Sequence, residues 1–340
     1  MILIFSYFND TSTTDVIRWL HRFGAKDVVR INESDLDNES TAIELRNASF
    51  SIQARGATFS LEDVEAVWFR KGTLWLNGMG GGVDISGHPA LSSKLNERLL
   101  LEDRKTKEHF HYLLQHRCRV LGNPLVSSPN KLILMHMAAE VGLDVPELCI
   151  SNRADSLATW ANGLGGAHVV TKAISDGLYL WDFEGTNSGY FSYTERSVPP
   201  LDNGCQSIPL SMIQKEVEKK LEIRSFYLDG QFFSMAIFSQ RDTKTTVDYR
   251  KYNYENPNRM VPFRLPGEVE SKLDSLFKRL KLNTGSADLI LDSQGRYVFL
   301  EINPTGQYAG LSINCNYHLD KRIASWLVNK NEHEARTVAA

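Results

Sequence analysis

Short β-branched and aromatic runs alternate along this chain with stretches whose apolar residues recur every three or four positions. The run at 2–8 predicts a strand. Val16, Leu20 and Phe23 then share a helix face over 11–23, with Gly24 as the stop, and 28–31 predicts a second strand. A β-α-β opening implies a small α/β unit with a parallel sheet. Residues 50–53 and 64–69 predict further strands. Residues 89–117 form a long helical stretch with Leu91, Leu95, Leu99, Phe110, Leu113 and Leu114 among charges. A boundary falls at 120–128, where Asn123-Pro124 and small polar residues gather. Ser128 as N-cap and Pro129 at the first position predict a helix to about Val141, stopped by Gly142. Strand 147–151, helix 155–163 and strand 168–173 complete one α+β lobe.

Residues 177–197 are rich in aromatic and polar side chains and predict two hairpin-like β segments. Strands follow at 209–217, 221–228 and 232–240, the last two joined at Asp229-Gly230. Residues 240–264 are irregular and basic, with six Lys or Arg against three Asp or Glu. An amphipathic helix over 267–280 (Val269, Leu273, Leu276, Phe277, Leu280) leads into apolar runs at 288–291 and 296–302. These flank the turn formers Asp292 and Gly295 and predict a β-hairpin. A turn centred on Ser293-Gln294 sets Leu289 opposite Val298 and Asp288 opposite Phe299. Alternation then gathers Leu289, Leu291, Val298, Leu300 and Ile302 on one face, and Asp288, Glu301 and Asn303 on the other. One helix over 312–329 ends the fold.

Composition adds bounds. The 340 residues are 42% hydrophobic and 23% charged, enough for two or three packed units. We divide them into an N-terminal α/β domain (1–122), a central lobe (123–208) and a C-terminal lobe (209–340). A net charge of −3 gives no basic field for nucleic acid. Cys118, Cys149, Cys205 and Cys315 are scattered and read as reduced core residues in a cytosolic protein. No apolar run is long enough to span a membrane, and the start reads as a strand rather than a signal peptide. The expected location is the cytoplasm.

The Gly-rich run at 78–82 lacks the Lys-Ser/Thr of a P-loop and reads as a mobile loop. His109 and His111 are two apart on a helix, a poor metal pair, and read as solvated or half-packed. More chemistry lies elsewhere. Asp288, Glu301 and Asn303 suit a hard cation, and two Mg²⁺ ions bridged by Glu301 would clamp a nucleoside triphosphate. The alternative is an ordinary amphipathic hairpin with an acidic outer face, and the hairpin alone does not choose. Ahead of it lie Lys131 at a helix start, Lys172 ending a strand, Gln214-x-x-Val217 in a strand, and Glu222-x-Arg224 in the next. Singly, each has a plain reading: a solvated Lys, a strand Gln, a structural pairing of Glu222 with Lys220 or Arg224.

In this order and spacing the residues resemble the ATP-grasp ligases over most of the chain. The implied fold is ATP-grasp, of mixed α/β and α+β class: an N-terminal α/β (pre-ATP-grasp) domain, a central α+β lobe and a C-terminal ATP-grasp lobe, with ATP held between two sheets. The resemblance places Lys131 and Lys172 on the ATP phosphates and adenine against the backbone of Lys215, Glu216 and Val217, near Gln214. Glu222 would lie near the ribose, Asp288, Glu301 and Asn303 would hold two Mg²⁺, and Arg224 would reach the γ-phosphate or an acylphosphate. Residues 212–237 are similar to the Gln-x-x-Ile/Val-x-Lys-x-x-Glu-Leu/Ile-Arg stretch of the microviridin-type peptide ligases that make graspetides. "VDYRK" at 247–251 resembles their Asp-Trp-Arg segment, with Tyr249 in place of Trp and Arg250 kept. "AVWFRKG" at 66–72 resembles their Val-Trp-x-Arg motif, and "LEINPTGQYAGLS" also matches. The opening residues 2–20 look most like the grasp-with-spasm maturases, which act beside a radical SAM partner.

What this implies is carboxylate activation. A substrate Asp or Glu attacks the γ-phosphate of ATP, and a Ser or Thr hydroxyl or Lys amine then displaces phosphate, leaving an ω-ester or ω-amide. Lys131, Lys172, Arg224 and Arg250 would meet charge on phosphate oxygens, the arginines as planar forks. The implied partners are a ribosomal precursor peptide with leader and core, a SPASM-type radical SAM protein and a second copy of the chain. The aromatic segments of 177–197 (Trp181, Tyr190, Tyr193) would pair with a leader strand, flap over nucleotide, or pack the lobe. Rival readings are a ligase adding an amino acid such as glutamate to a carboxylate, a nucleotide-binding scaffold without turnover, and a nucleic-acid binder using 241–264. Precursor identity, ester against amide, ring number and the general base are not legible.

Overall fold

The structure is a computed structural model and describes residues 1–32, 35, 42–46, 49–54, 57–73, 83–175, 177, 179–181, 189–197, 207–241, 247–248, 251, 253, 255 and 257–329. The chain packs as two compact units, Met1–Ser127 with the segment from His318 onward, and Ser128–Tyr317.

In the first unit β1 (Ile2–Ser6), α1 (Thr11–Arg22) and β2 (Val28–Asn32) form the predicted β-α-β start. Then come β3 (Ala42–Arg46), β4 (Ser49–Ala54), β5 (Ala57–Ser60), β6 (Ala66–Phe69), α2 (Pro89–Arg117) and β7 (Arg119–Leu121). One sheet runs β2-β1-β6-β7, parallel throughout, and every residue of β1 is buried, as expected of a strand covered on both faces. The antiparallel sheet β3-β4-β5 adds Phe50, Ile52 and Phe59 to a core shared with Phe5, Phe69, Phe110 and Leu114. Phe110 lies edge-on to Phe5 at 6.0 Å and 4.5 Å from Phe50.

The Val-Trp-x-Arg motif finds a structural use here. Val67 and Trp68 are buried on β6, and buried Arg70 ties the strand end to α1, its Nε 3.3 Å from Asp10 and 3.2 Å from Ser12 Oγ. Asp10 in turn caps α1, accepting from the Ser12 backbone N–H. A Cβ at Gly72 would sit 2.9 Å from the Ser6 nitrogen, so only glycine lets the chain cross the end of β1 there.

Helix α2 spans the predicted residues, but His111 is not solvated. It is 1% exposed, edge-on to Phe69 and Phe110, with Nε2 3.0 Å from Thr73 Oγ1. His109 and His111 point apart, as expected, and burial is what the sequence reading missed. The run 74–82, with its glycines, lies outside the described residues.

The second unit opens with α3 (Lys131–Glu140), whose N-cap is Asn130 rather than Ser128. The Asn130 side chain accepts from the N–H groups of Leu132 and Ile133, so Ser128-Pro129 stay in the preceding turn. Next are β8 (Leu148–Arg153), α4 (Ala154–Asn162), β9 (Val169–Thr171), β10 (Tyr179–Trp181), β11 (Gly189–Phe191), β12 (Glu195–Ser197) and β13 (Ser207–Lys215). β12-β9-β13-β8 form an antiparallel sheet backed by α4, with Leu157 and Ala161 on Val169 and Ile213. β10 and β11 pair separately.

A five-stranded antiparallel sheet follows, ordered β16-β15-β14-β17-β18. Its strands are β14 (Lys219–Leu228), β15 (Gln231–Phe238), β16 (Arg259–Phe263), β17 (Thr284–Asp292) and β18 (Tyr297–Asn303), with α5 (Gly267–Arg279) between β16 and β17. Asp229 and Gly230 take positive φ (44° and 90°) in the β14–β15 turn, which suits the Asp-Gly signal. α5 backs this sheet, its Phe277 stacking on Tyr227 at 4.3 Å. The closing helix expected over 312–329 is two helices, α6 (Ala309–Cys315) and Leu319–Leu327. Asn316 and His318 between them adopt left-handed φ of 55° and 51°, which no helix carries through. The second packs on α1 in the first unit.

His111 gives a pH test. Burial first, then nearby Lys107, lowers its imidazole from the ordinary 6.5 to about 4. Protonation therefore opposes folding: the stabilisation is complete above pH 6.5 and lost as pH falls toward 4. Over that interval the unfolding free energy should drop by about 3 kcal/mol on this account. Urea unfolding of His111→Gln across the same range should show that part of the slope removed. An unchanged slope would assign the acid sensitivity to other groups.

Candidate active site

The β17–β18 hairpin presents its acids through a break in alternation. At the tip, Leu291 pairs with Tyr297, Ile290 with Val298 and Leu289 with Phe299. The expected pairing of Leu289 with Val298 is therefore one residue out. Past Leu289 the register shifts, so that Asp288 faces Glu301 and Ser286 faces Asn303. The extra residue on β18 is Leu300, a one-residue bulge. Without it, Glu301 would share a face with Leu289 and Phe299, both fully buried. With it, Glu301 joins Asp288. The acid face expected from the sequence forms, with Phe299 on the packed side and Leu300 on the side of the acids.

β14 repeats the device. Lys219 faces Asp292 and Leu221 faces Leu291, leaving Lys220 as the extra residue. Lys219 thereby shares the face of Glu222, and its Nζ lies 2.9 Å from Glu222 Oε1. Glu222 thus pairs with Lys219, not with Lys220 or Arg224. Ser239 Oγ donates to the same oxygen at 2.7 Å. Burial still pushes the Glu222 carboxyl up, with Asp248 adding to the rise, while Lys219 and Ser239 pull it down.

Arg224 faces Asp288 across the β14–β17 pair, Nη1 to Oδ2 3.7 Å. Lys172, just past β9, brings Nζ to 3.5 Å from Glu301 Oε2. Both distances are ion pairing outside hydrogen-bond length.

On the central sheet, Ile213 packs toward α4, so its neighbour Gln214 takes the opposite face, paired with Val170. Gln214 is 5% exposed, and its Oε1 has no hydrogen-bond partner among the described residues. The Lys215 and Glu216 N–H groups donate to Glu147 and His168 carbonyls at 2.9 and 2.8 Å. The Lys215 side chain turns to Glu147 Oε1 at 2.7 Å, and Arg196 forks onto both oxygens of Glu216 at 2.7 and 2.8 Å.

These faces line one open cleft of about 660 Å³, open solvent at its mouth included. Lys172, Gln214, Glu216, Val217, Glu222, Asp288 and Glu301 all contribute to it, with Val170, Ile290 and Leu300 as apolar wall. Arg224 reaches it through Asp288. Asn303 lies two register pairs beyond the acids, on the same face, and accepts from the Thr305 N–H at 3.0 Å through Oδ1. Lys131 donates to the Ser175 carbonyl at 2.8 Å, three residues past Lys172. Arg250 and Tyr249 lie outside the described residues. Sequence reasoning missed Lys219, Thr194 and Asp248, all in the wall. No period-two pattern reveals Lys219, because the bulge at Lys220 changes the phase. Asp248 was visible only as part of the 247–251 motif.

The donor set suits the groups the resemblance implies. No cluster of three His, Cys, Asp or Glu occurs among the described residues, so an ion here would rest on two adjacent carboxylates and an amide, completed by water or substrate oxygens. A buried, unsatisfied amide oxygen at Gln214 suits a donor group on a bound molecule.

No family model and no curated protein matches the chain. Solved structures do. The macrocyclase MdnC of Microcystis aeruginosa, bound with precursor peptide MdnA, superposes with a TM-score of 0.73 at 24% identity, covering 97% of this chain and 99% of MdnC. A Chryseobacterium gregarium RiPP-associated ATP-grasp ligase, in complex with ADP and a leader and core peptide, gives 0.75 at 21% identity over 97% of both chains. The ATP-grasp ligase PsnB, complexed with a phosphomimetic variant of minimal precursor, Mg and ADP, gives 0.68 at 16% identity, covering 96% of this chain and 97% of PsnB. The chain has the ATP-grasp fold.

Deleting Leu300 tests the bulge. It should turn Glu301 toward the packed face and cost on the order of 3–5 kcal/mol, the penalty of an uncompensated buried charge. Leu300→Ala keeps the extra residue and should cost about 1–2 kcal/mol from lost apolar contact. Urea midpoints measure both, and equal losses would show that the bulge does not set the phase.

Proposed function

We propose that the chain is an ATP-dependent, ADP-forming peptide ligase. It would activate Asp or Glu side-chain carboxylates of a ribosomally made precursor and join them to Ser or Thr hydroxyls or Lys amines. Two cations set against two adjacent carboxylates in one cleft, Lys172 with Glu301 and Arg224 with Asp288, carry the proposal. The superposed proteins support it, since MdnC is bound with a precursor peptide, and the Chryseobacterium and PsnB ligases with ADP and peptide.

In this reading Asp288, Glu301 and Asn303 hold two Mg²⁺, which supply neutralisation of phosphate charge when bound. Lys172 exchanges its long contact with Glu301 for phosphate oxygens, and Lys131 adds a second ammonium. Gln214 Oε1 accepts from the base, which lies against the backbone of Lys215 to Val217, while Glu222 meets the ribose hydroxyls. Arg224 and Arg250 take charge on the transferred phosphoryl group. The substrate carboxylate oxygen bonds to the γ-phosphorus as ADP leaves. The hydroxyl or amine then bonds to the acyl carbon as phosphate leaves with the carboxylate oxygen. Each closure removes one water overall.

The resemblance of residues 2–20 supports a SPASM-type radical SAM partner, and the ATP-grasp resemblance over most of the chain a homodimer. The thiols of Cys118, Cys149 and Cys315 are free, which supports a reducing cytoplasm. No helix of the described residues is long and apolar enough to cross a membrane.

Incubated with ATP, Mg²⁺ and any short Ser/Thr/Asp/Glu-rich peptide found encoded beside its gene, the protein should yield peptide lighter by about 18 Da per bond, with one ADP for each. A mass gain of one amino acid would instead indicate an amino-acid-adding ligase. Asp288→Asn and Glu301→Gln should each lower turnover at least about a hundredfold with unfolding midpoints near wild type. Wild-type rates in both would remove the metal assignment. Lys172→Ala should weaken ATP about tenfold, and unchanged nucleotide affinity would return it to a structural ion pair.

A further inference from the structure

Lys219 has no part in that chemistry, yet it sits at the centre of the most buried charge cluster in the cleft wall. Its ammonium touches Glu222 Oε1 and donates to the Val247 carbonyl, each at 2.9 Å. The Lys219 and Glu222 side chains are only 5% and 10% exposed. The residue after Val247, Asp248, is buried as well and accepts from the Thr194 N–H at 3.2 Å. One ammonium thus ties the acid on β14 to the chain at 247–248, and Asp248 ties that chain to the approach to β12.

Exposed ion pairs contribute little, but removing one partner of a buried pair leaves an uncompensated charge. Without Lys219, Glu222 keeps its burial and the repulsion of Asp248 and loses a donor and a countercharge. Its carboxyl would then favour the protonated form, a poor acceptor for hydroxyl groups. The backbone of 247–248 would lose its tie to β14 in the same step.

We propose that Lys219 is a positioning residue that holds Glu222 as a hydroxyl acceptor in the cleft wall and anchors the Val247–Asp248 segment beside it. This rests on the nucleotide reading, in which Glu222 meets the ribose. Two of the three Lys219 donors are spent within the protein, so its effect on a ligand runs through Glu222.

The test is equilibrium binding of ATP and of 2′,3′-dideoxy-ATP to the full chain. Wild type should hold ATP roughly tenfold to a hundredfold tighter than the dideoxy analogue, the value of hydrogen bonds to a charged acceptor. Lys219→Met should bring that ratio near one by weakening ATP, with dideoxy-ATP changed by no more than about twofold. Lys219→Arg, which keeps charge and donors, should recover most of the ratio. Glu222→Gln should collapse it alone, and adding Lys219→Met to Glu222→Gln should lower it no further. A ratio kept in Lys219→Met, or equal loss of both nucleotides in it, would overturn the positioning role and leave the nucleotide reading standing. Wild type binding both nucleotides equally would overturn the ribose contact and this proposal with it. Wild type binding neither would overturn the nucleotide reading itself.

Discussion

A β-strand has two faces, and the chemistry of this chain depends on which face a few charged residues take. Strict alternation cannot deliver the arrangement observed. In β18, Phe299 must pack against α5's side of the sheet and Glu301 must not, yet they are two apart. In β14, Lys219 and Glu222 are three apart and must meet. One added residue in each strand, Leu300 and Lys220, resolves both conflicts. The inserted residues differ because their surroundings do: Leu300 finds an apolar cleft wall beside Ile290, and Lys220 is exposed.

The two bulges also place unlike electrostatics in one wall. Glu222 is dry and tightly held, with two donors on one oxygen at hydrogen-bond length. Asp288 and Glu301 are half-buried, and their cations stand off at 3.7 and 3.5 Å. In the proposed reading these two carboxylates would take a harder cation, and the Lys and Arg would turn their charge to phosphate. A carboxylate held as Glu222 is held suits hydroxyl groups instead.

Much of this was legible in the sequence. Asp229-Gly230 announces its turn, the α2 limits follow from its charges and leucines, and the acids of 288–303 group on one face in the expected register, whose one-residue error the bulge at Leu300 offsets. What failed did so for local reasons. Ser128-Pro129 is a strong helix start, but Asn130, an equally good cap two residues on, accepts from the Leu132 and Ile133 N–H groups instead. Asn316 and His318 tolerate left-handed φ, which a helical period cannot reveal. His111 looked solvated beside His109 because the aromatic wall of Phe69 and Phe110 comes partly from β6, far away in sequence. Lys219 was hidden by its bulge: the motif contained it, but the face it takes depends on the residue after it.

The placement of the charges argues for preorganisation. β14 and β17 are interior strands of the five-stranded sheet, paired on both edges, and their far face is packed by α5 through Tyr227, Leu273 and Phe277. Arg224, Glu222 and Asp288 ride on these two strands and are fixed by the fold before any ligand arrives. Phosphoryl transfer asks for little covalent help and much fixed charge, so a paired sheet is a better mount than a loop. Handling a particular substrate asks for the opposite. Among the described residues of the aromatic segment, β10 and β11 are strands of three residues each, where sequence change disturbs the least packing. In the proposed reading, fixed charge on the sheet and substrate contacts on such short strands would let one activating chemistry serve different peptides.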